Sequence, residues 1–459
     1  EAWTMLADLA AIDRAQLSPD GQVDAGLLDN ALRYEIWETE DLQEWAWNPQ
    51  VYNDTASYAL YALVARDFAP WPKRLQSAIE RMEKLPAFLA ESRRQLDPAR
   101  VPKVHAETVA KQNAGIMETV NAALLPEADR FEGAQRTRFD KALADLKAAV
   151  AEHQTWLDTV LVPNAKGDAR LGPALYDQKM RFALMSSMSR ADLKRTAQAA
   201  FRDTRAQMFA LARTVGDCGK ALPADAAKAE QQAIECALGQ SYAKRSPRDR
   251  LEQDARTALA EAIAFTRDKG LVGMPRGDVR VVTMPKFWQG NAVAYDDPPG
   301  PLEPQLPNFF AVSPVPADWS DEQAASFLSE YNHFMLHDLA IHEGVPGHYL
   351  QLDHAGRTPD LLRAVLQSGP FVEGWAVYAE GMMADEGFMD GDPLFKLTVL
   401  KMRLRSVTNT LLDIGIHTEG MTRDQAMELM MKGAFQQERE AAGKWTRANL
   451  TSVQLLSYF

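Results

Sequence analysis

Cysteine is scarce in this chain of 459 residues, which contains only Cys218 and Cys236. A scaffold held together by many disulfides is therefore excluded, because such proteins need several cysteine pairs. Long apolar runs are also lacking, and none approaches the roughly 20 residues that cross a bilayer. The hydrophobic fraction of 46% and the charged fraction of 25% are those of ordinary globular proteins. We therefore expect a soluble, folded chain with no integral membrane segment.

Basic residues are fewer than acidic residues in this sequence. The sequence has 50 Lys and Arg against 63 Asp and Glu, which gives a formal net charge of −13. An acidic surface of this kind repels the phosphates of nucleic acids and the head groups of anionic lipids. Neither class of partner is expected.

The two cysteines lie in one polar stretch and leave two interpretations open. They are either unrelated thiols or one disulfide that closes a local loop, and a disulfide would place the protein outside the cytosol. The polar surroundings favour the disulfide. The chain also begins at Glu1 without Met and stops at Phe459 inside an apolar run, so we expect both ends to be cut from a longer protein.

Helical periodicity dominates the first 270 residues. Apolar side chains recur at spacings of three and four in Pro72–Leu85, Arg136–Val160 and Ser189–Val215. Residues with high helix propensity fill the remaining positions, and prolines separate the segments. The sequence therefore predicts a mainly α protein.

Two short segments after residue 270 predict strands. Val279–Met284 and Asn308–Val312 are rich in β-branched and aromatic residues, with Gly and Pro between them. Ser320 followed by Gln323 has the pattern of a capping box, which predicts the start of a long helix. We expect residues 1–270 to form one wall of a cleft and residues 271–459 to form a catalytic region, within one intertwined unit.

A His-Glu pair followed by a second His occurs in the segment IHEGVPGHYLQ, at residues 341–351. Zinc hydrolases use neutral imidazoles as ligands and a nearby carboxylate to take a proton from water. His342 and His348 are six residues apart, which turns a helix by about 240°, so a regular helix cannot direct both rings to one ion. Pro346 and Gly347 predict the necessary break, because proline clashes with the preceding turn and glycine permits unusual backbone angles. The alternative is two helix-end histidines around a kink.

A second motif, FVEGWAVYAE at residues 371–380, places Glu373 among apolar and aromatic neighbours. A buried carboxylate needs a partner, so we favour a metal ligand over a solvated carboxylate at a helix start. With His342 and His348, Glu373 would supply three protein ligands and leave one position open for water, as in catalytic zinc sites.

Together the two motifs resemble the signature of the bacterial domain-of-unknown-function family 885, His-Glu-x-x-Pro-Gly-His-Tyr-Leu-Gln followed by Glu-Gly-Trp-Ala-x-Tyr-x-Glu. Members of that family look like helical zinc peptidases related to the Glu-type zincins. The resemblance covers most of the chain, although its specific motifs lie from Ile341 onward. It implies a large helical, zincin-like and oligopeptidase-like fold with a small β-sheet before the metal-binding helix.

The resemblance also implies one Zn²⁺ per chain and short peptides as substrates, with carboxypeptidase-like action as one form. His342, His348 and Glu373 would be the metal ligands. Glu343 would be the general base that takes a proton from the attacking water and passes it to the leaving amine. Family members often carry an export or lipoprotein signal, so a periplasmic or lipoprotein-anchored location is expected, with the cytoplasm as the alternative.

Two carboxylates are candidates for supporting the ligands. Asp338 lies four residues before His342 on the same helix face, where it could accept a hydrogen bond from the imidazole. An exposed helix carboxylate is an equally weighted alternative. Glu380, seven residues after Glu373, either holds a ligand in place or forms a salt bridge.

The resemblance extends to two candidate donors of a hydrogen bond to a reaction oxyanion. One is His417, oriented by Asp413, for which a buried polar pair joining two helices is the alternative. The other is Tyr458, whose partner Arg447 could hold the terminal carboxylate of a peptide.

The sequence leaves alternatives open for several further contacts with a substrate. Arg403 and Arg405 compete with Arg447 for the carboxylate, and the alternative for each of the three is neutralisation of acidic neighbours. The strand that contains Phe310 is expected to be either an edge for an extended peptide or part of a hairpin over the core, and Tyr295 is expected at the rim.

Two other classes of function compete with a peptidase. The same chemistry hydrolyses other amides and esters, and a helical binding protein can keep such a fold without turnover. The complete set of two His, a base and a third ligand argues against the non-catalytic interpretation.

Overall fold

A computed structural model describes residues 1–289 and 293–459 of the chain. Helices account for 71% of the residues and are accompanied by a small three-stranded sheet. The prediction of a mainly α protein with a small sheet is therefore confirmed. None of the helices in these two ranges is both long and apolar enough to cross a bilayer.

Contacts divide the chain into two units. The first comprises the described residues among 1–12, 32–169 and 285–290, and the second those among 13–31, 170–284 and 291–459. The prediction that a wall and a catalytic region divide at residue 270 stays a prediction.

Twenty-one α-helices occur in the described ranges. Up to residue 169 they are α1 (Ala2–Ala10), α2 (Pro19–Trp37), α3 (Glu44–Trp47), α4 (Pro49–Val64), α5 (Trp71–Gln95), α6 (Lys103–Gln112), α7 (Gly115–Thr119), α8 (Gly133–Trp156) and α9 (Val162–Asn164). The others are α10 (Gly172–Leu184), α11 (Arg190–Ala212), α12 (Ala226–Tyr242), α13 (Leu251–Lys269), α14 (Asp321–Glu330), α15 (His333–Leu339), α16 (His348–Ala355), α17 (Leu361–Val365), α18 (Gly369–Asp385), α19 (Pro393–Glu419), α20 (Arg423–Glu428) and α21 (Glu438–Leu450).

Short turns of 3₁₀ or π geometry connect or extend these helices. They are Arg14–Gln16, Glu38–Leu42, Val120–Leu124, Leu125–Arg130, Leu157–Leu161, Lys286–Trp288, Ala340–Gly344, Phe388–Gly391, Leu429–Gly433 and Gln454–Leu456.

The first unit packs α4, α5 and α8 around one apolar core. Leu60, Ile79 and Leu146 are fully buried in that core and come from the three helices in turn. The predicted helices in this part are confirmed, because α5 contains the repeat Pro72–Leu85, and α8 with the π turn Leu157–Leu161 contains the repeat Arg136–Val160.

The second unit is built on α19, which packs along α11. The helix predicted over Ser189–Val215 is confirmed as α11. Beyond α11, Cys218 forms a disulfide with Cys236 of α12, with their Cα atoms 5.5 Å apart. The disulfide interpretation of the two cysteines is therefore the one that the structure adopts.

The sheet of the second unit consists of β1 (Val279–Thr283), β2 (Ala294–Asp297) and β3 (Asn308–Val312) in the order β1-β3-β2. β1 is parallel to β3, and β2 is antiparallel to it. The two predicted strands are confirmed as β1 and β3. Of the two alternatives for Asn308–Val312, the edge strand is wrong, because β3 is central and all five of its residues are buried. The antiparallel pairing of β2 with β3 agrees with the other alternative, a hairpin over the core.

The chain between Ser320 and Ala355 is a series of short helices. The capping box of Ser320 and Gln323 is present, but α14 ends at Glu330, so the prediction of one long helix is wrong. The side chain of Asn332 then caps α15, whose last turn widens into the π turn Ala340–Gly344.

The helix break predicted between Gly344 and His348 is confirmed. Val345 has extended backbone angles, its peptide bond to Pro346 is cis, and α16 begins at His348. Gly347 is required in this break, because a Cβ atom there would lie 2.1 Å from the carbonyl oxygen of His342 and 2.2 Å from that of Ile341.

We predict that Gly347→Ala lowers the free energy of unfolding by about 2–4 kcal/mol, because two backbone carbonyls must move to admit the methyl group. Urea denaturation followed by circular dichroism measures the change. Gly239→Ala is the matched control, since a Cβ atom there meets nothing within 4 Å inside α12. That control should be neutral or stabilising by about 0.5–1 kcal/mol, and equal effects of the two substitutions would contradict the close approach at Gly347.

Candidate metal centre

Three short elements bring the predicted ligands together. The π turn Ala340–Gly344 carries His342 and Glu343, and His348 is the first residue of α16. Glu373 lies in the second turn of α18, which starts after the side chain of Ser368 caps its first turn. Because the chain leaves helical geometry between the two histidines, their rings approach to 4.6 Å between centroids.

The ligating atoms converge on one point. Glu373 Oε2 lies 3.5 Å from His342 Nε2 and 3.4 Å from His348 Nε2. One carboxylate oxygen of Glu343 and one ring nitrogen of each histidine also lie within 4.8 Å of one another. The structure thus brings all four of these predicted residues to one place.

Two contacts fix the orientation of this group. His342 Nδ1 donates to Glu380 Oε1 at 2.6 Å, which directs Nε2 of the same ring toward Glu373. The indole nitrogen of Trp375 donates to the carbonyl oxygen of Pro346 at 2.8 Å, so α18 is tied directly to the helix break.

Glu380, rather than Asp338, therefore supports His342. Both carboxylate oxygens of Asp338 are buried and lack a hydrogen-bond partner in the described part of the chain. The predicted contact from Asp338 is corrected accordingly. Burial, followed by the negative charge of Glu380, raises the pKa of Asp338 well above its usual value, which favours the uncharged acid.

The charges of the ligands depend on one another. Burial alone would raise the pKa of the Glu373 carboxyl, but His342 and His348 outweigh it and lower that pKa well below its usual range. Burial would likewise lower the pKa of His342, but Glu373 and Glu380 raise it well above its usual value. A buried carboxylate between two imidazoles is thus kept ionised by positive charge at this point.

A cavity of about 310 Å³ opens in front of the cluster. Its wall includes Tyr295 of β2. Basic side chains from α19 and α21 form another part of the wall, namely Arg405, Lys444 and Arg447.

Tyr458 reaches the cavity from just beyond the turn Gln454–Leu456. Its ring stacks near His342, with 6.4 Å between centroids. The hydroxyl oxygen accepts hydrogen bonds from Arg447 Nη2 at 2.9 Å and from Gln454 Nε2 at 3.3 Å. Because burial raises the pKa of Tyr458 despite the opposing effect of Arg447, the hydroxyl keeps its proton.

Four predicted site residues do not line this cavity, namely Phe310, Arg403, Asp413 and His417. Phe310 is 0% exposed in the core beneath β3, so it cannot contact a substrate. Arg403 is on the outward side of α19 and lines a separate depression with Phe459. The expectations of substrate contacts from these two residues are corrected.

Asp413 and His417 form the buried structural pair that was the alternative. Asp413 Oδ1 accepts from the hydroxyl of Tyr176 at 2.5 Å and from the backbone nitrogen of Val453 at 3.0 Å. His417 Nε2 donates to the carbonyl oxygen of Ala448 at 2.9 Å. Since neither side chain lines the cavity, the predicted oxyanion role of His417 is corrected: His417 joins α19 to the end of α21, and Asp413 joins it to the segment that follows.

The position of Lys444 on the cavity wall and the ion pair of Arg405 were not predicted from the sequence. Arg405 forms an ion pair with Glu440, whose other oxygen accepts from the hydroxyl of Tyr331 at 2.5 Å. Glu440, Lys444 and Arg447 follow one another at helical spacing, which places them on one face of α21. That spacing was visible in the sequence and could have revealed Lys444.

Comparisons with known proteins identify relatives but no activity. The family model of a bacterial protein of unknown function, DUF885, matches residues 1–459. No curated protein matches the chain. A solved "putative lipoprotein of unknown function" from Shewanella oneidensis is 31% identical, with a TM-score of 0.78 over 100% of this chain and 82% of that one.

A second solved structure, the "putative lipoprotein" from Colwellia psychrerythraea, is 16% identical. Its TM-score is 0.71, over 100% of this chain and 81% of that one, and at this identity it shows the fold alone. Because the family model matches along the whole length and a relative above 30% identity covers the same span, the chain belongs to the bacterial protein family DUF885.

Proposed function

We propose that this protein is a zinc-dependent metallopeptidase that hydrolyses short peptides. The observation that carries the proposal is the spacing of Glu373 Oε2 from the two imidazole nitrogens, 3.5 Å to His342 and 3.4 Å to His348. These distances are long for hydrogen bonds. Ligand atoms about 2.0–2.2 Å from one tetrahedral zinc lie roughly 3.3–3.6 Å from one another.

The donor set also fits zinc. Two imidazole nitrogens and one carboxylate oxygen are the protein ligands of one class of catalytic zinc site, in which a fourth position faces the substrate. Glu373 Oε2 is buried and has no hydrogen-bond partner in the described ranges, which fits an oxygen that a cation would bind. When bound, zinc would activate water and polarise a carbonyl group. The helical fold with a small sheet next to the metal-binding turn is in keeping with a relationship to the Glu-type zincins.

Two protein residues are assigned the proton transfer and the binding of the oxyanion. Glu343, beside the two histidines and on the cavity wall, would take a proton from the attacking water and deliver it to the leaving nitrogen. The hydroxyl of Tyr458 accepts hydrogen bonds from Arg447 and Gln454, so its own proton is the one available for the developing oxyanion.

The basic wall favours carboxypeptidase-like action. Arg447 bonds only neutral partners in the described part of the chain, Tyr458 and Gln454. Its guanidinium could therefore hold the C-terminal carboxylate of a peptide next to the reacting carbonyl. Arg405 is less suited, because Glu440 already neutralises it.

We also infer that the protein is exported. Two structurally similar proteins are described as a "putative lipoprotein", and the disulfide between Cys218 and Cys236 is typical of an oxidising compartment. Both observations support a periplasmic or lipoprotein-anchored location.

We predict that the metal-free protein binds one zinc ion per chain. Removing a ligand, by His348→Ala or Glu373→Ala, should weaken zinc binding by more than about 100-fold. Isothermal titration calorimetry with zinc measures the affinity. His354→Ala is the matched control, because His354 lies on the same helix but bonds the carbonyl oxygen of Gly273. Unchanged zinc affinity in both ligand variants would contradict the assignment.

We predict that Glu343→Gln keeps zinc affinity but lowers kcat/KM for peptide cleavage by about 10²–10⁴-fold, since the amide has almost the same shape but cannot take up a proton. Cleavage of a short-peptide library, followed by mass spectrometry, gives the rates. Glu322→Gln, at the exposed start of α14, is the control and should retain wild-type rates. Activity of Glu343→Gln within a few-fold of wild type would assign Glu343 a structural role.

A further inference from the structure

Two cations on the cavity wall are not balanced by a carboxylate. Lys444 is 5% exposed and forms no hydrogen bond or ion pair within the described part of the chain. Arg447 is held by the neutral side chains of Tyr458 and Gln454. Both residues face the same cavity as Glu373.

Two cations of α19 have carboxylate partners. Lys401 Nζ lies 2.8 Å from Glu330 Oε2, and Arg405 is paired with Glu440. A buried charge without a partner is costly, and proteins normally pair it or neutralise it. Lys444 and Arg447 therefore differ from the structural ion pairs around them.

The environment of Lys444 is suited to an incoming anion. Burial, followed by the positive charges of Arg405 and Arg447, lowers the pKa of the Lys444 amine well below its usual value. Glu440 acts in the opposite direction, but its two oxygens are already bound by Arg405 and the hydroxyl of Tyr331. A negatively charged group placed here would relieve the repulsion among the three cations.

Helix α21 presents two cations to the same cavity. Lys444 and Arg447 are three residues apart on one helix face, where side chains start about 5–6 Å from each other. That spacing suits the two carboxylates of a dicarboxylic amino acid.

We propose that Lys444 is a specificity-determining residue that selects substrates ending in glutamate or aspartate. Arg447 binds the C-terminal carboxylate, and Lys444 binds the side-chain carboxylate of the same residue. This inference rests on the proposed hydrolysis of peptides, but the binding site that it describes is testable without turnover.

The test compares Ala-Ala-Glu with Ala-Ala-Gln as substrates of the zinc-loaded protein. The wild type should favour the acidic peptide by about 30-fold or more in kcat/KM, because the amide leaves Lys444 without its charged partner. Lys444→Met, which keeps the length of the side chain, should reduce this ratio to near 1, and Lys444→Arg should restore part of it. Lys432→Met, on an exposed turn, is the control that should keep the wild-type ratio.

Thermal unfolding separates specificity from a structural role. Lys444→Met should unfold at the same temperature as the wild type or higher, because it replaces a buried amine that has no hydrogen-bond partner among the described residues with an apolar group. A loss of preference for the acidic peptide together with a large drop in the unfolding temperature would overturn the proposal, since Lys444 would then be structural.

Ligand binding separates this proposal from the proposed function. Calorimetry with L-glutamate and L-glutamine should show at least tenfold tighter binding of glutamate to the wild type, and a smaller difference in Lys444→Met. Equal binding of the two amino acids, or cleavage of the two peptides at equal rates, overturns the anion site and leaves the peptidase assignment standing. Glutamate selectivity without cleavage of either peptide supports the anion site and counts against the peptidase.

Discussion

One carboxylate oxygen of Glu373 is held about 3.5 Å from an imidazole nitrogen of His342 and from one of His348, which is too far for good hydrogen bonds but close enough for the three groups to interact strongly. Three buried polar groups in this arrangement are costly unless a shared cation joins them. The local structure serves this convergence. The chain leaves helical geometry so that His342 and His348 can face one another, Gly347 admits the close backbone approach, and Glu380 fixes the ring of His342.

The distribution of charge gives the cavity two different sides. Acidic groups are concentrated at the π turn and α18, where Glu343 and Glu373 lie beside the histidines. Cations are concentrated on α21, where Lys444 and Arg447 face the same space. A bound molecule with a negatively charged end would be oriented by this asymmetry, with that end toward α21. The negative net charge of the whole chain gives no comparable attraction.

The sequence was most informative where the chemistry restricts residue identity. The spacing of His342 and His348 required a helix break, Pro346 and Gly347 predicted its position, and β3 was predicted with its observed bounds. The predictions of the helix break and of β3 succeed because both depend on local patterns. The same local reasoning missed β2, whose four residues, Ala-Tyr-Asp-Asp, lack the composition of a strand and pair only in the context of the sheet.

Partners that are distant in sequence could not be predicted. Asp338 and Glu380 both lie at plausible helical spacing from a ligand, and only the packing of α18 against the π turn assigns the contact with His342 to Glu380. Asp413 and His417 have the pattern of a catalytic pair, but Tyr176 and the backbone of residues 448–453 engage them as structural groups. Whether a pair of polar residues faces a cavity or a neighbouring helix depends on tertiary packing, which a periodic pattern does not contain.

X-ray diffraction from crystals grown with zinc, with data collected on both sides of the zinc absorption edge, tests the central claim most directly. The account predicts one anomalous peak per chain, within about 2.0–2.2 Å of His342 Nε2, His348 Nε2 and a carboxylate oxygen of Glu373. Absence of anomalous signal at this point, with His342, His348 and Glu373 in the observed arrangement, would contradict it.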